Sequence, residues 1–301
     1  MAPSMIEAIS RAHAFAPAIR PVILYGESGT GKTFFAEYIH GLSGRSDGFH
    51  MLSVGTLGPQ LAHDELFGHV DGAFTGARRP RAGLIASAGV GTLLLDDIQT
   101  LDLGVQSMLY QVLDRYTYKA LGSDRTASAV CRVILAMKEH PDTLMKLGVL
   151  VEDLRYRFGA CSIRMPPLRE RRDEIPVHAQ RALESCPAIV PGGGGPTRFR
   201  KSAIAMLCEA EYKGNIRQLI SIVECAYLLG RAAGRDEIWP QDLDIELPTT
   251  LRYRRHGKRE ANCTVVERML AVTDGNVTEA AERLGVSRAT VVALRARMRR
   301  G

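Results

Sequence analysis

The chain has 301 residues, 46% of them hydrophobic, and a formal net charge of +6, which is enough apolar side chain for a real core. No apolar run approaches the ~20 residues needed to cross a bilayer, and MAPSMIEAIS lacks the basic-then-apolar order of a secretory signal; the six cysteines form no C-x-x-C pair, so a cytoplasmic protein with reduced thiols and no membrane partner is expected. The charge is uneven: residues 251–301 hold twelve Lys and Arg against five Asp and Glu, net +7, leaving −1 for the first 250, so nucleic acid is the first partner to consider for the tail.

In chain order, PVILY (21–25) reads as a buried strand, GESGTGKT (26–33) as a glycine loop, and FFAEYIHGL as the helix that follows. Strand, G-x-x-x-x-G-K-T and helix together make a phosphate-binding loop. Gly26, Glu27, Ser28, Gly29, Thr30, Gly31, Lys32 and Thr33 are the expected nucleotide-binding residues. Backbone N–H groups and the helix dipole receive the phosphates, Lys32 bridges the β- and γ-phosphates, and the Thr33 hydroxyl ligates magnesium. ATP and magnesium are the expected cofactors.

About thirty residues later comes ELFGHVDGAFTGA (65–77), a loop with Gly72 and Gly76 placed to bend the chain around Phe74. GTLLLDDI (91–98) and CRVILAM (131–137) read as further strands of one parallel sheet. The first runs into Asp96 and Asp97, where one carboxylate can hold magnesium through water while its neighbour orients the attacking water; two acids at a strand end also fit a helix N-cap. Strands alternating with helices predict an α/β sandwich with its ligand at the carboxyl ends of the strands.

Residues 176–238 carry helical periodicity without a convincing strand, broken by PGGGGP (191–196), which reads as a loop. The domains expected are an ATPase core over 1–175, a helical subdomain over 176–246, a basic linker over 247–262 and a DNA-binding domain over 263–301. In the last, Thr278 to Leu284 form one helix, Gly285 the turn, and Ser287 the N-cap of a second helix. Arg288, Thr290 and Arg295 lie near or along that helix, where they can reach phosphates or base edges; a three-helix packing module with basic residues is the competing reading.

With these motifs the chain resembles the AAA+ activators of sigma-54 RNA polymerase, the bacterial enhancer-binding proteins, over nearly its whole length. ELFGHVDGAFTGA is the most specific part of the likeness. The resemblance implies a P-loop AAA+ sheet sandwich with a helical lid and a C-terminal Fis-type helix-turn-helix. It implies a hexameric ring and a loop of Gly72, Ala73, Phe74, Thr75, Gly76 and Ala77 that touches the sigma factor as ATP is hydrolysed. PPLRERRDEIP is similar to the stretch joining core to lid, Arg217 in GNIRQL falls at the sensor II arginine, and Arg157 in DLRYRF falls at one of two arginine-finger positions. The partners implied are sigma-54 polymerase, upstream double-stranded DNA, and further subunits in a ring.

Several positions depart from the family's pattern. Asp97 stands where glutamate is usual, Ser53 where asparagine is common, Met137 and Lys138 in place of Thr-Asn at sensor I, and Val151 at the first arginine-finger position; Thr33 replaces a glutamate. Nucleotide binding is therefore expected, with hydrolysis slow or partner-dependent. The alternative is a hydrolysis-impaired DNA-binding regulator, acting as a scaffold or as one subunit of a mixed ring. About twenty residues precede the first strand, too few for a sensory domain, so control by an inhibitory protein, a paired subunit or expression level is expected; a truncated reading frame explains the short start equally well.

Overall fold

Three of the apolar runs lie side by side at the centre of one sheet. In the computed structural model, whose described residues are 2–74, 77, 79–189, 194–245, 266, 269–270, 273–284, 288–289, 291–292 and 295, the chain forms two units that part between Pro167 and Leu168. The first holds strands β1 (Val22–Tyr25), β2 (Phe49–Ser53), β3 (Thr92–Asp96), β4 (Arg132–Met137) and β5 (Ser162–Arg164). Their spatial order is β2-β3-β4-β1-β5, every pairing parallel.

Helices α1 (Pro3–Phe15), α2 (Lys32–Leu42), α3 (Pro59–Phe67), α4 (Leu103–Arg115), α5 (Pro141–Lys146) and α6 (Glu152–Phe158) connect and cover the strands. Because successive side chains of a strand point to opposite faces, Leu93, Leu95, Val133 and Leu135 join Leu66, Leu109, Leu154 and Phe158 from α3, α4 and α6. Leu94, Ile134 and Ala136 join Ala8, Ala12, Phe35 and Ile39 from α1 and α2 on the other face. Each fully buried leucine or isoleucine contributes about 1.5–3 kcal/mol. Burial on both faces makes the central strands uninterrupted apolar runs. The edge strands carry no such signature: β2 is only half covered and leaves Met51 44% exposed, while β5 is three residues long.

A buried cation closes this unit. Arg132, fully buried at the start of β4, donates from Nη1 to Ala16 O at 2.6 Å and from Nη2 to Phe15 O at 2.7 Å. These are carbonyls at the C-terminal end of α1, where a positive charge also complements the helix dipole. Burial lowers the pKa of its guanidinium to about 10. Arg132→Ala leaves two carbonyls without donors and a cavity behind, so a loss of about 3 kcal/mol is expected. In a thermal melt that is a midpoint lower by roughly 6–12 °C.

The second unit begins at Leu168 and contains α7 (Ile175–Ile189), α8 (Lys201–Glu209), α9 (Asn215–Ala232) and α10 (Val277–Leu284). Ile175, Leu183, Leu207, Leu219, Val223 and Tyr227 form its core, and Val266, Leu270, Ala280 and Val291 belong to the same apolar cluster. One short strand pair was not legible in the helical periodicity: Arg198–Phe199 runs parallel to Glu237–Ile238. Two residues a strand are too few to print an alternation. Linker residues 247–262 and Pro191–Gly193 lie outside the described residues.

Candidate functional site

The glycine loop takes its shape from backbone that other residues rarely adopt. Gly26, Gly29 and Gly31 have φ of +153°, +76° and +92°, and a Cβ on Gly26 would lie 2.5 Å from Met165 O, so glycine is required there. Gly26 N donates to Met137 O at 3.2 Å, tying the loop to the end of β4. Lys32 opens α2 and is 8% exposed, its Nζ donating to Gly26 O at 2.8 Å and Glu27 O at 3.2 Å. Thr30 Oγ1 donates to Glu27 O at 2.9 Å, and Thr33 is half-buried on the first turn of α2. The ammonium thus rests on the carbonyls of the loop it serves.

Sheet register brings the acids to this edge. Tyr25 lies opposite Met137, Leu95 opposite Leu135, and Ser53 opposite Asp96, so the residues after β1, β3 and β4 share the carboxyl end of the sheet. Asp96 ends β3 and its Oδ1 accepts Asp97 N at 3.0 Å. Asp97 lies one residue past the strand in the left-handed region, φ +61°. Both of its carboxylate oxygens are engaged: Gln99 Nε2 donates to Oδ1 at 3.1 Å, and Lys138 Nζ sits 3.3 Å from Oδ2. Lys138 stands in the sequence only as a departure from a pattern; the fold makes it the partner of the second acid.

A cavity of about 120 Å³ opens where β1 and β5 end, lined by Ser4, Glu7, Ala8, Arg11, Tyr25 and Arg164. Arg157, on α6, is 48% exposed and its Nε donates to Asp114 Oδ1 on α4 at 2.8 Å. In the second unit, Asn215 (φ +53°) accepts Leu168 N on Oδ1 at 2.8 Å. This bond joins the two stretches PPLRERRDEIP and GNIRQL and sets Arg217, exposed, on the first turn of α9.

The GAFTGA loop grows from a two-stranded root, Gly68 opposite Ala82 and His69 opposite Arg81. Gly72 has φ +74°, and Gly72 N donates to Ala77 O at 2.9 Å. Phe74 is half-buried, its ring edge-on to His69 at 5.1 Å; leaving that contact costs about 0.5–1.5 kcal/mol. The root is also bonded to a second hairpin, Thr117–Tyr118 with Ala127–Ser128, through Val70 N to Leu121 O at 3.1 Å and Leu121 N to Gly68 O at 2.8 Å. Thr75 and Gly76 lie outside the described residues.

Near the C-terminus, Asn276 Oδ1 accepts the amides of Thr278 and Glu279 at 3.1 and 3.2 Å, capping α10. Arg288 is exposed and Arg295 half-buried, while Ser287 and Thr290 lie outside the described residues. Among the described residues no cluster of His, Cys, Asp and Glu has metal-holding geometry, and no helix is long and apolar enough to cross a membrane.

The chain is similar to known proteins. Residues 1–164 match the family described as the sigma-54 interaction domain, residues 169–260 the AAA+ ATPase lid domain, and residues 259–300 the Fis family of bacterial regulatory proteins. The transcriptional regulatory protein GlrR of Escherichia coli K12 is 35% identical over 291 residues, covering 95% of this chain and 64% of GlrR. ZraR of Salmonella typhimurium is 32% identical over 301 residues, covering 97% of this chain and 66% of ZraR. The chain therefore spans about two thirds of the length of these curated relatives. Crystal structures of NtrX from Brucella abortus share the fold: one has a TM-score of 0.73 at 21% identity over 98% of this chain and 68% of that one. Another, of NtrX in complex with ATP, has a TM-score of 0.71 at 20% identity, covering 99% of this chain and 68% of that one.

Proposed function

This chain belongs to the sigma-54 interaction family of AAA+ proteins, with an AAA+ lid and a Fis-type C-terminal region, and on that footing we propose that it is an ATP-driven transcription activator. It binds DNA upstream of a promoter through the helix-turn-helix and remodels the closed complex of sigma-54 polymerase through the loop 72–77. The observation that carries this reading is the short path from the carboxyl edge of the sheet to the loop. Asp97 leads through Ile98–Thr100 into α4, α4 runs into the hairpin at Thr117, and that hairpin is bonded to the loop's root at Gly68 and Val70. A shift at the carboxyl edge of the sheet therefore reaches the loop through one helix.

At the site, the phosphates of ATP would replace the carbonyl oxygens of Gly26 and Glu27 as partners of the Lys32 ammonium. The Thr33 hydroxyl and Asp96 carboxylate are hard oxygen donors that suit magnesium, which when bound neutralises charge on the phosphates. Asp97 orients the attacking water, Arg217 reads phosphate from the lid, and Arg157 completes the site of the next subunit. Arginine supplied across an interface demands assembly, so the active form is a ring, probed as a hexamer.

The deciding experiment is open-complex formation at a sigma-54 promoter with this protein alone. Thr75→Ala is expected to abolish opening while ATP turnover stays within about twofold of wild type, as a lost partner contact. Equal loss of turnover would place Thr75 in the ATPase instead. The ion pair between Asp97 and Lys138 favours a second reading, a weakly hydrolysing subunit that needs a paralogous partner or answers to a regulatory protein; opening restored only by a second activator would establish it.

A further inference from the structure

Gln106 on α4 is fully buried, and its side-chain amide is spent on backbone. Nε2 donates to Leu101 O and to Val149 O, each at 3.0 Å, and Oε1 accepts Val151 N at 3.1 Å. Two carbonyls on one side and an N–H on the other fix which way the amide faces. Leu101 closes the short turn Ile98–Thr100 that follows Asp97, while Val149 and Val151 lead into α6, the helix that carries Arg157. One side chain thus ties the segment leaving the acid pair to the segment entering the helix of the arginine.

The helix needs such a tie. Seven residues are too few for α6 to hold itself, and Val151, just ahead of it, has no side-chain oxygen to cap it. Leu154 and Phe158 bury one face of α6 in the cluster that also holds Val105 and Leu109 of α4, but apolar contact is non-directional and does not set how far α6 lies along its neighbour. Hydrogen bonds do. Gln106 holds the start of α6, and Asp114, about two turns further along α4, accepts Arg157 Nε at 2.8 Å near its end. The Asp114 pair is open to solvent and is given up when Arg157 turns to a phosphate, whereas Gln106 stays sealed in the core. Without Gln106, Leu101 O, Val149 O and Val151 N lose this partner, and the stretch 149–151 shifts to find others.

We propose that Gln106 is the positioning residue of Arg157: from the core of one subunit it sets where α6 lies along α4, and so where the guanidinium stands relative to the phosphates of the next subunit. The inference rests on the reading of Arg157 as a finger acting between subunits.

Mixed rings of the full chain test it. Gln106→Met keeps the length of the side chain without its N–H donors, and is expected to lower kcat for ATP hydrolysis by about 10²-fold, the cost of a misplaced group. KM for ATP and nucleotide binding by a single subunit are expected to stay within about twofold of wild type. Mixed equally with Lys32→Ala, about a quarter of the interfaces join an intact phosphate site to a well-placed Arg157, and turnover is expected to recover to that order. Mixed with Arg157→Ala, no subunit brings a well-placed arginine, and turnover stays at the Gln106→Met level or below. Should Gln106→Met not fold or assemble, Val151→Pro is the second variant. It removes the N–H that Gln106 accepts, at a φ of −67° that proline adopts, and is expected to cost about tenfold in kcat, the worth of one hydrogen bond, with the same pattern of rescue. Wild-type turnover in the variant, rescue by Arg157→Ala, or no rescue by Lys32→Ala overturns the proposal; rescue by Arg157→Ala alone would make Gln106 a support of its own subunit's site through Leu101. The mixture of Lys32→Ala with Arg157→Ala separates the two readings. If that mixture recovers while the Gln106→Met mixture does not, only the positioning role falls; if it stays inactive, the finger falls and the positioning role with it.

Discussion

Arg157→Ala is expected to lower kcat for ATP hydrolysis by about 10³ or more, the usual worth of an arginine finger, while nucleotide binding measured with a single subunit is unchanged. The side chain is suited to being handed over. It is exposed and paired with Asp114 of its own subunit, and an exposed ion pair is worth only about 0–1 kcal/mol, so little is lost when the guanidinium turns to a neighbouring phosphate. The trans arrangement has its own signature. Lys32→Ala lacks the phosphate ligand but keeps Arg157, so mixing it with Arg157→Ala subunits rebuilds complete sites at about a quarter of the interfaces in a randomly mixed ring. Turnover recovering to that order supports a finger acting between subunits; two folded, assembling variants that stay inactive together would refute it.

Asp97 and Lys138 are expected to move turnover in opposite directions. Asp97→Asn removes the group proposed to orient water and is expected to cost about 10²–10⁴ in kcat, with KM for ATP changed by no more than about threefold, since binding is proposed to rest on Lys32 and the loop amides. Lys138→Ala frees the Asp97 oxygen now held at 3.3 Å, leaving it open to accept from the attacking water. Turnover is then expected to rise by roughly tenfold, a change of about 1.4 kcal/mol in the barrier. Steady-state hydrolysis by both variants decides: a fall in Lys138→Ala would make the lysine a helper of catalysis rather than a restraint on it.

The central strands and the glycine loop could be read in advance because their signals are local. β1, β3 and β4 are covered on both faces and so are written as apolar runs, and the loop's glycines sit between a strand and a helix in the chain itself. β2 and β5 could not be read this way. An edge strand half open to solvent mixes Phe49 and Leu52 with His50 and Ser53, and three residues hold no period. The acid pair at the end of β3 was visible, but not that Asp97 leaves the strand in the left-handed region or that a cation just past β4 holds it.

Residue order by itself determined the nucleotide loop, the doubly covered parallel strands, the basic tail and the GAFTGA stretch, because each depends on neighbours within a few positions. Only the tertiary structure decided which distant groups meet: Lys138 with Asp97, and Arg132 with the end of α1. Those contacts depend on strand order and register, which place residues tens of positions apart on one sheet edge, and on burial, which turns an ordinary polar side chain into one that must find a partner.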